Sequence, residues 1–312
     1  DSSEAKRISQ VFNARSSNAV ILTQTVDDEV FQMTKTCVES LLEHGQDDAT
    51  IHVTIVESCP ESMQELVYPS PWNTIRPDAD FNFYTFLNCG IAAQRADYYL
   101  LCNNDLLFHA GWLQELLDAF KVAGLGSASP MSPGLASQES LRKNSRSKFK
   151  LGYHISREVS GWCLLVSAET LRQIGPLDEL FDFYFADNDY TLEMRRHNIK
   201  HALVFDSQVS HLAGKNQNRT IVNSSKPPAR LIPKHISRFK SLWWIYQSER
   251  MLDDFHKFES KWGDYRVLRV KQVIHDFLFI QLGIGVLSKV LFQSTPREPH
   301  ERLSSPQGEP GR

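Results

Sequence analysis

The fold of this chain is decided by one stretch, Tyr98-Tyr99-Leu100-Leu101-Cys102-Asn103-Asn104-Asp105. Its first five residues are aromatic or apolar, which predicts a short buried strand. Two amides and a carboxylate follow at once, and in an open α/β sheet the carboxyl end of a strand is where ligands bind. A carboxylate there suits a hard divalent cation and its phosphates. A plain strand-ending turn is the alternative, because Asn and Asp are ordinary turn residues.

The segments around this stretch predict an α/β protein. Residues 19–23 and 51–56 are apolar and β-branched, and the apolar spacing over residues 30–42 predicts a helix between them. The order strand, helix, strand implies a parallel pair with a right-handed crossover. Further helices are predicted at 88–96, 112–120 and 190–197, and further strands at 160–166 and 202–205. Residues 124–150 are poor in apolar side chains and predict a mobile loop.

Composition is that of a soluble globular protein, with 312 residues, 41% of them hydrophobic and 23% charged. The net charge of −3 hides a split between two parts of the chain. Residues 1–225 carry 19 Lys and Arg against 28 Asp and Glu, a net −9, and residues 226–312 carry 15 against 9, a net +6. The basic part either faces an anionic partner or is a solvated helical surface. Nucleic-acid binding is not expected, because no motif for it is present and the pI is about 6.4.

The five cysteines are odd in number and lack metal-type spacing. They predict small core residues in a reducing compartment, and therefore a cytoplasmic protein. Residues 277–292 are the most apolar late stretch, but polar residues interrupt it, which favours a core or interfacial helix over a membrane span. Two roles are open for the basic, aromatic-rich residues 226–293. They either make peripheral contact with a membrane or pack on the rest of the protein as structural helices.

Four polar side chains follow apolar segments in order: Glu57, Asp105, Asp187 and His211. Successive strand ends converge on one edge of a doubly wound sheet, so these four side chains can share a cleft. Each has a plainer reading as well. Glu57 could cap a helix, Asp187 could charge the N-terminus of the helix that follows, and His211 could lie on the surface. Their joint arrangement favours the shared cleft.

Eight short motifs occur in an order that resembles the family 2 glycosyltransferases, the inverting nucleotide-sugar enzymes of the GT-A fold, and most of all their rhamnosyltransferase-like members. The motifs lie at residues 20–23, 56–58, 87–92, 97–105 with 111–113, 161–165, 174–179, 185–189 and 211–214. They cover residues 18–216. The resemblance implies an inverting, metal-dependent hexosyltransferase of glycan biosynthesis. It would move a sugar from a nucleotide-diphosphate sugar donor to a hydroxyl of a glycan, lipid-linked or protein-linked acceptor.

The resemblance also implies a role for each matching residue. Glu57 stands where an acid contacts the base or ribose of the nucleotide, with Asn104 on the sugar or ribose side. Asp105 stands where Mn²⁺ or Mg²⁺ is held on the donor diphosphate, and His211 where a second metal or phosphate contact is made. Asp187 stands at the catalytic base, which takes the acceptor hydroxyl proton on the face opposite the leaving group. That geometry inverts the anomeric centre without a covalent intermediate.

The remaining implied contacts are Thr23 and Asn88 on the donor, and Trp162 and Asp189 on the acceptor side. Together with the composition of the flanking residues, the resemblance predicts a flexible N-terminal segment, a GT-A domain, a helical C-terminal extension and a disordered tail. These parts are residues 1–17, 18–217, 218–293 and 294–312.

Two departures from the family pattern leave other functions open. Ala186 stands where the family usually has Glu before the base, and Glu57 where it usually has Asp. A catalytically silent GT-A-like module that binds glycans or serves as a scaffold is therefore one alternative. A sugar nucleotidyltransferase is the second, but it should carry a Gly-rich phosphate loop behind the first strand, and residues 23–28 contain no glycine.

Overall fold

The computed structural model describes residues 15–45, 49–59, 65–212 and 248–294. In these residues nine strands form one sheet, in the order β3-β2-β1-β4-β8-β6-β9-β5, with β7 pairing beside β9. The strands are β1 Arg15–Thr23, β2 Ala49–Glu57, β3 Asn73–Ile75, β4 Tyr98–Asn103, β5 Leu106–Phe108, β6 Ser127–Met131, β7 Phe149–Leu151, β8 Cys163–Ser167 and β9 His201–His211.

The two halves of the sheet differ in strand direction. Strands β3, β2, β1 and β4 run parallel, as a doubly wound α/β half-sheet does. Strand β8 runs antiparallel to both β4 and β6, and β5 and β7 run antiparallel to β9. Strand β9 is parallel to β6, so it points the same way as β4. The carboxyl ends of β1, β2, β4 and β9 therefore lie along one edge.

Helices cover both faces of the sheet. They are α1 Asp28–Glu43, α2 Phe83–Ala93, α3 Trp112–Ala123, α4 Ala136–Lys143, α5 Ala168–Ile174, α6 Ala186–Arg196, α7 Glu249–Trp262, α8 Tyr265–Asp276, a π-helical turn Phe277–Gln281 and α9 Ser288–Leu291. Strand β1 shows how the two faces arise. Val20 and Leu22 join the core cluster formed with α2, α6 and α7, and Ala19 and Ile21 join the cluster formed with α1 and α3. This alternation is the period of two that a strand imposes.

The prediction for residues 124–150 was wrong. The segment contains β6, α4 and β7, and all five residues of β6 are buried. The bounds of several other elements also differ from the prediction. In particular, α6 begins at Ala186 rather than Tyr190, and β9 extends to His211 rather than ending at Phe205. The early start of α6 matters for function, because it places Asp187 in the first turn of a helix.

The C-terminal helices α7 and α8 pack on the sheet domain. Met251, Phe255, Phe258 and Trp262 belong to the same core cluster as the α2 and α6 side chains. The predicted boundary at residue 217, the N-terminal residues 1–14 and the tail from 295 onward lie outside the described residues. The domain division therefore stays a prediction.

Two further observations bear on the setting of the protein. All five cysteines carry free thiols, including Cys102 and Cys163, whose sulfur atoms lie 3.5 Å apart in the core. The reducing compartment and the cytoplasmic localisation stay predictions. In the described part of the chain, every helix is too short or too polar to traverse a bilayer.

Candidate functional site

The polar ends of three parallel strands lie side by side. Thr23, the last residue of β1, is the register partner of Glu57, the last residue of β2. On the other side of β1, Leu22 is the partner of Asn103, the last residue of β4. A threonine, a glutamate and an amide therefore lie side by side at one edge of the sheet.

The Glu57 carboxylate is buried in a hydrogen-bond network at this edge. Its Oε1 accepts from the Thr25 backbone N–H at 2.9 Å, and its Oε2 accepts from the hydroxyls of Thr25 at 2.6 Å and Tyr68 at 3.1 Å. Burial is the main reason that the pKa of Tyr68 is raised to about 12, so the phenol stays protonated and can donate. Glu57 thus fixes the loop that follows β1. The predicted contact between Glu57 and a nucleotide stays a prediction.

Asn104 points into the protein rather than along the sheet edge. Its side-chain amide donates to the hydroxyls of Thr23 and Thr34, both at 2.9 Å. These bonds tie the residue before Asp105 to β1 and to helix α1, and all three side chains are buried. The contacts of Asn104 and Thr23 support a positioning role for the chain around Asp105, and direct donor contact by either residue stays a prediction.

Asp105 and His211 face each other across two antiparallel strands. His211 is the register partner of Leu106, and the Leu212 backbone N–H donates to the Asp105 carbonyl at 2.9 Å. The His211 Nε2 atom lies 3.3 Å from Oδ2 of Asp105. The other carboxylate oxygen, Oδ1, is buried and has no hydrogen-bond partner among the described residues. A buried carboxylate oxygen normally has a partner, so this atom is suited to a ligand.

The donor set at this point fits a divalent metal. A carboxylate oxygen with a free lone pair and an imidazole nitrogen suit Mn²⁺, which accepts both atom types, and suit Mg²⁺ less well because Mg²⁺ prefers oxygen. Asp105 and His211 are therefore the residues that could hold the predicted metal.

Two adjacent residues connect this pair to Asp187. The Trp162 ring stacks on the His211 ring, with centroids 5.1 Å apart and planes 15° from parallel. Gly161, the residue before it, packs directly against the Asp187 carboxylate, since a Cβ atom at this position would overlap both carboxylate oxygens. Consecutive Cα atoms are only about 3.8 Å apart, so Asp187 and the candidate metal ligands adjoin the same short segment.

Asp187 lies in the first turn of α6, in an environment that weakens its acidity. The residue before the helix, Phe185, has a left-handed φ of 62° and its ring packs on Phe255 and Phe258 at 5.5 and 5.3 Å. That aromatic packing holds a backbone conformation that non-glycine residues rarely adopt. Burial raises the pKa of Asp187 to about 6. Neither of its oxygens accepts a hydrogen bond from the described residues, so the carboxylate is available to a substrate.

A cavity of about 620 Å³ opens in front of Asp187. This volume suits a small-molecule ligand. The walls combine aromatic rings, amides and guanidinium groups from β4, the segment before β8, and helices α6 and α8. Lining residues include Asn103, Tyr153, His154, Arg157, Gly161, Trp162, Tyr184, Asp187, Tyr265, Arg269 and Gln272. Trp162 is therefore at the cavity, as the acceptor-side prediction requires, and helix α8 of the C-terminal region forms part of the wall.

Asp189 faces away from this cavity. Its Oδ1 atom accepts from Lys261 Nζ at 2.5 Å and from Trp262 Nε1 at 2.7 Å, both on α7. Lys261 also binds Asp178 at 2.7 Å. Burial acts to raise the pKa of Asp189, whereas the Lys261 ammonium and the Trp262 N–H act to lower it by stabilising the carboxylate. The contacts of Asp189 make it an anchor between α6 and α7, and the predicted acceptor-side role has no support from its contacts.

Asn88 has a similar structural environment. Its amide donates to the Leu177 carbonyl and to Glu179, both at 2.9 Å, and its oxygen accepts from the Leu177 N–H at 3.0 Å. These bonds fasten α2 to the turn after α5. Since both ends of the amide are engaged, the donor-binding role of Asn88 stays a prediction without structural support.

A second group of carboxylates lies near the surface, where Asp182, Asp253 and Asp254 bring an oxygen each within 4.8 Å of one another. Lys257 Nζ lies 2.9 to 3.3 Å from all three residues and takes the place that a cation would occupy. Asp254 also accepts from the backbone N–H of Tyr184 at 2.9 Å. This cluster therefore holds the loop before α6, and Asp105 with His211 fits a metal better.

Several residues at the site had no predicted role. Thr25 and Tyr68 orient Glu57, Gly161 makes room for the Asp187 carboxylate, and Arg157 and Arg269 line the cavity. Gly161 belongs to one of the quoted motifs, so a signal for it was present in the sequence. Arg269 lies more than 80 positions from Asp187 along the chain, and local patterns give no sign that the two share a cavity.

No protein-family model matches this sequence, and a search of curated proteins finds no match. Among solved structures, the chain is similar to the crystal structure of GalNAc-T7 with UDP, GalNAc and Mn²⁺. The TM-score is 0.53 at 10% sequence identity, and the alignment covers 88% of this chain and 59% of that chain. At this identity the likeness shows the fold alone. The predicted α/β class with the GT-A fold is confirmed, and membership of family 2 stays a prediction.

Proposed function

We propose that this chain is a glycosyltransferase that moves a sugar from a nucleotide-diphosphate sugar to an acceptor hydroxyl with inversion, as a rhamnosyltransferase-like member of family 2. One observation carries the proposal. Gly161 contacts the Asp187 carboxylate, and its neighbour Trp162 stacks on His211, the partner of Asp105. A proton acceptor and a candidate metal pair therefore both adjoin one dipeptide, which supports their action on one bound substrate.

The donor would bind along the ends of β1, β2 and β4. Glu57 and the Thr25 backbone shape this edge, and Asp105 lies just beyond β4. The structurally similar GalNAc-T7 was crystallised with UDP and Mn²⁺, which supports a nucleotide sugar as the donor class. The base and the sugar are left open by these contacts.

Asp105 and His211 would hold the metal, because Oδ1 of Asp105 has no other partner among the described residues. When bound, Mn²⁺ or Mg²⁺ would neutralise the charge that grows on the departing nucleoside diphosphate. The stacked Trp162 ring holds the imidazole plane of His211 in a fixed orientation, which keeps Nε2 directed at Asp105.

Asp187 would act as the general base. Its carboxylate faces the cavity and accepts no competing hydrogen bond from the described residues. Its pKa of about 6 makes it a stronger base than an ordinary carboxylate while leaving it ionised at neutral pH. The acceptor hydroxyl would give its proton to Asp187 as its oxygen attacks the anomeric carbon. The bond from that carbon to the diphosphate oxygen breaks, and the nucleoside diphosphate leaves with the electron pair.

The acceptor would occupy the cavity in front of Asp187. Aromatic rings such as Trp162 and Tyr265 offer flat apolar surfaces to a sugar ring, and Arg157 and Arg269 offer donors to its oxygens or to an attached anion. A glycan or a lipid-linked sugar fits this lining.

The test is a screen of nucleotide sugars by thermal shift with and without Mn²⁺, followed by a transfer assay with each donor that binds. We expect Mn²⁺-dependent release of nucleoside diphosphate, and NMR of the product should show an inverted anomeric centre. Asp105→Ala should lose the Mn²⁺-dependent part of nucleotide binding by calorimetry. Asp187→Asn should keep donor binding and lose transfer.

The outcomes also discriminate the alternatives. A silent glycan-binding or scaffolding module would release no nucleoside diphosphate with any donor, and a nucleotidyltransferase would release pyrophosphate from a nucleoside triphosphate and a sugar phosphate. Retention at the anomeric centre would contradict the single-base mechanism even if transfer occurs. Full turnover by Asp187→Asn would eliminate Asp187 as the base.

A further inference from the structure

The polarity of helix α8 is inverted relative to an ordinary surface helix. Of its three buried residues, Leu268, Gln272 and His275, two are polar. Val267, Val270 and Val273 point outward and are 52–64% exposed. A helix that packs on a soluble domain normally turns its apolar side inward and its polar side to water. The outward side of α8 therefore has the composition of a surface that is buried against something else.

The exposed apolar side chains continue past α8. Ten large hydrophobic residues between positions 267 and 290 are at least 43% exposed, whereas the rest of the described chain contains five. We call these ten residues the apolar face: Val267, Val270, Val273, Ile274, Phe277, Leu282, Ile284, Val286, Leu287 and Val290. Monomeric proteins rarely leave so much apolar surface together in water, and such surfaces mark interaction sites.

The charges around the apolar face have one sign. Residues 265–294 contain four cations, Arg266, Arg269, Lys271 and Lys289, and the single acid Asp276. Asp276 is turned inward, where both of its oxygens bind the buried Arg195 at 2.8 Å. Apolar side chains with cations beside them fit the boundary of a bilayer with anionic headgroups.

We propose that the apolar face docks on the surface of an anionic lipid bilayer, with α8 in the plane of the interface. Other occupants fit less well. A second copy would bring the same four cations together across a two-fold axis. Residues 295–312 do not supply an apolar cover, because they contain one large apolar side chain, Leu303. This inference is independent of the proposed transfer reaction.

The test compares two cysteine variants of the full chain, Val270→Cys in the apolar face and Val122→Cys on α3. Both valines are highly exposed, at 59% and 79%, and their helices lie in different parts of the molecule. Maleimide labelling is followed by peptide mass spectrometry, with vesicles of phosphatidylglycerol and phosphatidylcholine, with vesicles of phosphatidylcholine alone, and without vesicles. Labelling at position 270 should slow at least about fivefold with the anionic vesicles, and labelling at position 122 should not change.

A second pair of variants tests the charge contribution. Lys271→Glu combined with Lys289→Glu should weaken flotation with the anionic vesicles by at least about tenfold, and the control Lys121→Glu on α3 should leave it unchanged. Raising the salt concentration should weaken binding of the unaltered chain.

Three results would overturn the proposal. The first is the absence of flotation with anionic vesicles. The second is slow labelling at position 270 without vesicles in a monomer, which would mean that another part of the chain covers the face. The third is the same slow labelling in a dimer detected by sedimentation, which would assign the face to a second copy.

Discussion

Replacing Asp187 by Asn should stabilise the protein while abolishing its proposed activity. The carboxylate accepts no hydrogen bond from the described residues, and Gly161 packs against it, so the ionised form has lost water without gaining a partner. Asparagine has nearly the same shape and carries no charge. The substitution removes the cost of ionisation and leaves the packing intact.

The size of the effect follows from the pKa shift. Burial raises the pKa of Asp187 from 3.8 to about 6, and at about 1.4 kcal/mol for each unit this amounts to at most about 3 kcal/mol. Because the folded-state pKa is the higher one, wild-type stability from this group is intact below pH 4 and is lost as the pH rises through about 6. Asp187→Asn should therefore match the wild type near pH 4 and exceed it by up to about 3 kcal/mol at pH 8.

Urea unfolding followed by tryptophan fluorescence at both pH values measures this difference. Asp189→Asn, two residues along the same helix, is the matched control. Asp189 accepts hydrogen bonds from Lys261 and Trp262, so its replacement leaves a buried ammonium with fewer partners and should destabilise the protein at pH 8. The reasoning is refuted if Asp187→Asn is less stable than wild type at pH 8, or if its gain is the same at both pH values.

Three further predictions concern the same region. The first is the pH profile of kcat/KM, measured with metal saturating. Because the pKa of Asp187 is about 6, kcat/KM should fall about tenfold for each pH unit below 6 and level off above it. A flat profile down to pH 5 would contradict a base with this pKa. Gly161→Ala should lower kcat at least about tenfold, because the added methyl group displaces the Asp187 carboxylate. Donor affinity measured by calorimetry should not change. A normal kcat would show that the position of the carboxylate is unimportant. Lys261→Met should reduce the free energy of urea unfolding by about 3–5 kcal/mol, because Asp178 and Asp189 lose their buried counter-charge. An unchanged free energy of unfolding would exclude this ion cluster as a structural anchor.

Strands β1, β2 and β4 of the parallel half could be predicted from the sequence because they are runs of apolar and β-branched residues. Strand β6, Ser127–Met131, could not, since four of its five residues are Ser, Ala, Ser and Pro, although all five are buried. Its serines are satisfied by partners that no local pattern reveals. Ser127 Oγ accepts from the Tyr190 hydroxyl at 2.6 Å, and Ser129 Oγ accepts from the Ser160 N–H at 2.9 Å. Hydrophobicity therefore misses a strand whose burial depends on hydrogen bonds from distant residues.

The candidate site could be predicted in part for a related reason. The order of the apolar segments along the chain predicted that Asp105 and His211 lie at one edge of the sheet. The same order did not show which of Asp187 and Asp189 faces the cavity. Two positions on a helix are about 200° apart, so the two carboxylates point in opposite directions, and the direction of each depends on where α6 begins. The left-handed residue Phe185 sets that start, and its conformation depends on aromatic rings about 70 positions later in the chain.

Helix α6 therefore connects the proposed chemistry to the C-terminal helices. Asp187 faces the cavity from its first turn, while Asp189 binds Lys261 on α7 from the other side of the helix. Arg195, which also lines the cavity, binds Asp276 on α8. Helix α8 has the same two-sided character. Its inner side supplies Asp276 and part of the cavity wall, and its outer side carries the apolar face. If that face docks on a bilayer, the cavity wall and the anchor of the catalytic helix are held at the membrane surface, which is where the hydroxyl of a lipid-linked acceptor would be found.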